Sequence, residues 1–138
     1  MIILDTNVLS ALMRDVPDQR VASWLDRQPQ SSIWTSSITI FEIQTGLQIM
    51  PAGKKRVSWS EDFERLLAGI DHRIAASDES AARLAAELTG QRRQKRRVGE
   101  QRDTMIAGIV LANRASLATR NVAHFADISA TVVNPWNA

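Results

Sequence analysis

The sequence contains no cysteine. That excludes disulfides, thiolate metal sites and cysteine nucleophiles, and it fits a reducing compartment, with the cytoplasm as the expected location. No apolar run approaches the roughly 18 residues of a membrane span, so no membrane association is expected. No basic segment leads into a cleavable apolar stretch, and no signal peptide is expected. The chain also lacks a glycine-rich phosphate loop, zinc-type ligand spacing and a Ser-His-Asp arrangement. It has two histidines. His72 falls in a polar turn, and His124 reads as a packing or surface residue, though one within reach of a substrate. Internal repeats, low-complexity segments and linkers are absent, so residues 1–138 are expected to form a single domain.

What remains is the composition of an ordinary globular protein, 44% hydrophobic and 23% charged. The net charge is only +2 although 17 residues are Lys or Arg. The positive charge is clustered at Arg92, Arg93, Lys95, Arg96 and Arg97, and again at Lys54, Lys55 and Arg56. Such clusters steer polyanions. They are equally the mark of a solvated helix end or loop.

Short apolar strands alternate with helical stripes along the chain. Met1 to Leu4 reads as a strand buried on both faces. A helix follows through Val8, Leu9 and Leu12. Pro17 suits the start of the next, with Val21, Trp24, Leu25 and Gln28 in register. A strand is expected over Ser32 to Thr35, then a helix from Ile40 to Met50 that Pro51-Ala52-Gly53 ends. Trp59, Phe63, Leu66, Leu67 and Ile70 mark another helix. Arg73 to Ala76 reads as a strand, and Ser77-Asp78-Glu79 opens a helix through Leu88. Gly90 to Gly99 is a polar helix end and loop, and Asp103 starts a helix through Val110. Strands are expected at Ser116 to Thr119 and Ala130 to Val133. This alternation predicts a three-layer α/β/α sandwich around a mainly parallel sheet. The four tryptophans, Trp24, Trp34, Trp59 and Trp136, are assigned to the core.

Three carboxylates stand out against this background. Asp5 ends the first strand, where the carboxyl ends of strands border the ligand crevice of open α/β sheets; it also suits a helix cap. Glu42 lies between Phe41 and Ile43 and projects from a largely apolar surface. It calls for an Arg partner, a cap or a metal unless it sits at a solvent edge. Asp103 precedes a strongly apolar helix and serves equally as a cap. In a parallel sheet these places can converge on one edge, where clustered carboxylates repel one another and a divalent cation relieves the repulsion. Ligation by oxygen alone selects a hard cation, Mg²⁺ or Mn²⁺. Asn121 follows a late strand and supplies an amide oxygen without charge. Asp127 reads as a loop residue or cap.

Four segments in this order resemble the PIN-domain ribonucleases, specifically the VapC/FitB-type toxins of toxin–antitoxin pairs. They are Ile2 to Ser10, Ser37 to Ile43, Arg102 to Ala107 and Ala118 to Phe125, with a FitB-like close at Val133-Asn134-Pro135-Trp136. The resemblance spans nearly the whole chain. It implies a PIN-like fold, metal-dependent RNA hydrolysis, a small cognate antitoxin, and toxin homodimers that form a higher assembly with it. The family's acidic centre falls on Asp5, Glu42 and Asp103, with Asp5 and Asp103 as the first metal ligands. Many members carry a fourth acid where this chain has Asn121, which favours one metal over two. Thr6 and Asn121 are candidate substrate or supporting contacts. Two rival readings are a non-catalytic nucleic-acid-binding module and a receiver-like Mg²⁺-binding signalling domain. The latter fits poorly, because the late strand ends in Thr119-Arg120-Asn121 rather than in a lysine.

Overall fold

The computed structural model describes residues 1–138. Five strands, β1 (Ile2–Leu4), β2 (Ile33–Ser36), β3 (Ile74–Ala75), β4 (Ser116–Ala118) and β5 (Val132–Val133), form one sheet in the order β3-β2-β1-β4-β5. Every pairing is parallel. Six helices flank it: α1 (Thr6–Leu12), α2 (Gln19–Asp26), α3 (Ser37–Ile49), α4 (Lys54–Gly69), α5 (Glu79–Gln94) and α6 (Gln101–Ala112). Short 3₁₀ turns cover Gln30–Ser32 and Val122–Phe125. This is the expected α/β/α sandwich. None of its helices is long and apolar enough to cross a membrane.

The central strand explains the layering. Successive side chains of a strand point to opposite faces, and Ile3 and Leu4 are both buried but in different cores. Leu4 joins Val8, Val21, Trp24, Phe63 and Leu67 beneath α1 to α4. Ile3 joins Leu88, Ile106, Ile109, Leu117 and Phe125 beneath α5 and α6. Those two helices touch closely at Gly108, where a Cβ would lie 2.3 Å from the Ala81 carbonyl oxygen. Trp24 and Trp136 are buried as expected, whereas Trp34 and Trp59 are half-buried against the two cores.

Side-chain caps move several boundaries from their expected places. The Ser36 hydroxyl accepts the Thr39 N–H at 3.1 Å, so α3 starts at Ser37 rather than Ile40. The Asp18 carboxylate caps α2, two residues before which Pro17 lies outside the helix. α6 starts at Gln101, which places Asp103 inside its first turn instead of at its start. α5 continues through Gln94, and this changes the reading of the basic cluster. Arg92 faces inward and is 3% exposed, while Arg93, Lys95 and Arg96 are exposed. Asp127 is more than a loop residue. Its two oxygens accept from Arg92 Nε and Nη2, each at 2.9 Å. Arg92 also donates to the Thr104 hydroxyl and the His124 carbonyl, which ties α5, α6 and the 122–125 turn together.

Candidate acidic centre

In this all-parallel sheet β1 is the point where the strand order reverses. The chain leaves β1 for β2 and β3 on one side, then returns to β4 and β5 on the other. Ligand crevices of open α/β sheets lie at such a switch point. Asp5 stands there and is 3% exposed. Its Oδ1 accepts the Thr6 N–H at 2.8 Å, which caps α1. Its Oδ2 accepts the buried Thr119 hydroxyl, from the end of β4, at 2.7 Å. Oδ1 thus fills the expected capping role, while Oδ2 is tied to the end of β4. The Asn7 amide approaches both Asp5 Oδ2 and Thr119 Oγ1 at 3.4 Å, and Asn7 Oδ1 accepts the Arg120 N–H.

Glu42 joins this group through Thr6, whose hydroxyl donates to Glu42 Oε1 at 2.9 Å. That bond uses the only Thr6 hydroxyl proton, so the Thr39 hydroxyl, 3.1 Å away, donates to Thr6. The Glu42 side chain is 22% exposed, and its Oε2 lies 3.9 Å from Arg102 Nη1. Glu42 thus combines a solvent edge with a distant Arg partner. Asp103, in the first turn of α6, meets His124 Nδ1 at 2.8 Å. Asn121 contributes its backbone, the N–H donating to Thr119 Oγ1 and the carbonyl accepting the His124 N–H.

Burial raises the pKa of Asp5, and the negative charge of Asp103 adds to the rise; the hydrogen bonds from Thr119 and Thr6 pull against it. Burial also raises Glu42, with the charge of Asp5 adding and the Thr6 hydroxyl and Arg102 opposing. Asp5, Glu42 and Asp103 therefore share one electrostatic neighbourhood. No three of the His, Asp and Glu side chains enclose a point where an ion would sit.

A divalent cation still fits this donor set. The hydrogen-bond donors to Asp5 are all neutral, and no Lys or Arg pairs with Asp5 or Asp103. A buried carboxylate without an opposite charge is costly, and Mg²⁺ usually binds through one or two carboxylates while keeping several waters. Sequence reasoning missed Asn7, Thr119 and Arg102, and it gave His124 no link to Asp103. Thr119 was signalled in principle, since it ends its strand as Asp5 ends β1. Its place beside Asp5 depends on strand order, which a single sequence does not display.

Comparison with known proteins agrees with this fold. The profile of the PIN domain family matches residues 2–130. The chain is 37% identical over 139 residues to the plasmid stability protein StbB of Pseudomonas syringae pv. tomato, each chain being covered in full. It is 35% identical to the VapC ribonuclease Y4jK of Sinorhizobium fredii, over 99% of this chain and 98% of that one. Among solved structures, FitAcB from Neisseria gonorrhoeae superposes with a TM-score of 0.90 at 31% identity, with both chains covered in full. By the match of its residues 2–130 and its likeness to these relatives over their whole length, the chain belongs to the PIN-domain family and, within it, to the VapC- and FitB-type toxins.

Proposed function

We propose that this protein is a divalent-metal-dependent endoribonuclease, the toxin of a toxin–antitoxin pair, which hydrolyses phosphodiesters in single-stranded or looped RNA. The observation that carries the reading is Asp5, a buried carboxylate at the switch point with only neutral donors around it and two further acids nearby. Asp5 and Asp103 would hold one Mg²⁺ or Mn²⁺. A bound divalent cation supplies a Lewis acid and lowers the pKa of water near the phosphate.

The chain's own residues supply the rest. Thr119 and the Thr6 N–H fix the Asp5 carboxylate in one orientation, and His124 does the same for Asp103. Glu42, held at Oε1 by Thr6, presents a carboxylate of raised basicity that accepts a proton from the attacking water. Arg102 lies near Glu42, and Arg93, Lys95, Arg96 and Arg120 are further exposed cations that would add to the hold on RNA. Their hold on the RNA backbone is sequence-independent and weakens with salt. Single strands are the better target because a duplex hides its base edges. Asn121, exposed beside Thr119, would touch substrate.

Excess EDTA should reduce cleavage of a structured RNA to background, and added Mg²⁺ should restore it; full activity in EDTA would remove the metal from the mechanism. For the antitoxin, an arginine from a small partner would pair bidentately with the carboxylates and displace the cation. The solved relatives include the FitAcB complex. The neighbouring small protein should therefore co-purify with this chain, in an assembly built on a toxin homodimer, and suppress cleavage at stoichiometric amounts. Unchanged activity in its presence would refute the pairing.

A further inference from the structure

We propose that the cavity between α1, α3 and α4 is a pocket for one RNA base next to the cleaved phosphate. The inference rests on the ribonuclease reading and adds a base-recognition site to it. The cavity measures about 190 Å³, the liquid volume of about six waters, which suits one planar heterocycle better than a length of backbone. Thr6 and Glu42 form part of its lining. It therefore adjoins the acidic centre on the Glu42 side, and a nucleotide whose phosphate sits at that centre would have its base within reach.

The lining matches a base in chemistry as well as in size. Leu47, Met50 and Trp59 supply apolar walls, with the half-buried indole available for stacking. The Thr6 and Glu42 oxygens offer acceptors to a base edge bearing N–H donors. Exposed Lys55, its Nζ 5.8 Å from the Trp59 ring centroid, supplies positive charge for the adjoining backbone.

Gly46 is the second observation. It lies in the interior of α3, is exposed, and lines this cavity. A Cβ there would meet nothing within 4 Å. Glycine in a helix interior costs about 1 kcal/mol relative to alanine. Gly108 has a packing reason for its place, whereas nothing within this chain crowds Gly46. The space beside Gly46 is left open along the cavity wall for something that comes from outside.

The test uses a short single-stranded RNA whose cut has been mapped, and the same RNA with the nucleotide on either side of the cut made abasic. For the unaltered protein, one abasic substitution should lower kcat/KM about tenfold or more, mainly through KM, within the range of base–aromatic stacking. Gly46→Leu should slow the intact RNA to a similar degree and leave the abasic RNA unaffected. Gly46→Ala, with a Tm equal to or above that of the unaltered protein, shows that the helix tolerates a side chain. Fluorescence anisotropy with the same RNAs gives the comparison without catalysis: intact RNA should bind about tenfold tighter than abasic RNA, and Gly46→Leu should abolish the difference. The proposal is overturned if neither abasic position matters, or if Gly46→Leu slows both RNAs alike. It is also overturned if Gly46→Leu leaves RNA kinetics unchanged and instead loses the antitoxin, which would make the cavity a protein-docking site. Absence of any cleavage with Mg²⁺ would refute the ribonuclease reading; anisotropy with a short RNA made abasic at each position in turn would then decide the pocket, which is overturned if no position matters.

Discussion

Asp5→Asn should abolish RNA cleavage and leave a protein that melts at a higher temperature. The loss should reach about a hundredfold or more, the scale on which one positioned acid–base or charge-stabilising group contributes. The gain in stability follows from burial. In the fold, desolvation raises the carboxyl pKa above its ordinary 3.8. The unfolded chain therefore ionises first as pH rises, and Asp5 costs stability increasingly until pH passes its folded pKa. Asparagine has nearly the same shape, still accepts the Thr6 N–H, and carries no charge to bury. The difference in Tm between the metal-free proteins should be largest at neutral pH and vanish below pH 3.8, where both states of the unaltered protein are protonated. Calorimetry across pH checks this. A lower Tm at pH 7 would mean that the Thr6 and Thr119 hydrogen bonds outweigh desolvation, and retained cleavage would remove Asp5 from the chemistry.

The second large effect lies outside the acidic centre. Asp127→Ala should destabilise the fold by about 3 kcal/mol, the lower end for breaking a buried pair, because the Asp127 side chain keeps 20% exposure. That corresponds to a fall in Tm of roughly 10 °C. The substitution leaves the Arg92 guanidinium buried with only the Thr104 hydroxyl and the His124 carbonyl as partners. The hydrogen bonds from Arg92 hold the Asp127 carboxyl below its ordinary pKa. Its contribution is therefore fully present above the unfolded value of 3.8 and is lost as pH falls through the folded value. Replacing both partners, as Arg92→Met with Asp127→Leu, should recover most of the loss, since apolar residues of similar volume often match a buried ion pair. Urea denaturation at neutral and acid pH measures each step. A change below 1 kcal/mol for Asp127→Ala would show that the pair is effectively solvated.

The layers were legible because apolar period and length separate strand from helix in this chain. Ile2 to Leu4 is a short continuous apolar run, Leu117 and Ala118 form the apolar end of β4, and the stripes of α2 and α4 repeat at helical spacing. Asp5, Glu42 and Asp103 stood out because each interrupts or ends an apolar surface. Boundaries drifted where a polar side chain captured an N–H, as at Ser36 and Asp18. Arg92 was misread for a physical reason. Within a run of basic residues its neighbours all suggest solvent, and its burial depends on Asp127, 35 positions away. Thr119 and Asn7 were missed for the same reason, since a short polar residue becomes part of a site only when another strand brings it to an acid.

The bond between Asp5 and Thr119 spans 114 positions of sequence, and this has a temporal consequence. A ribosome adding about 5–20 residues per second makes Asp5 roughly 6–23 s before Thr119 exists. During that interval β1 can pair with β2 but has no β4, and the acid at its end has neither its hydroxyl partner nor Asp103 beside it. Parallel pairings of such long range are also the slow ones to form. The acidic centre thus closes late in synthesis, after the segments bearing Asp103, β4 and Thr119 have been made.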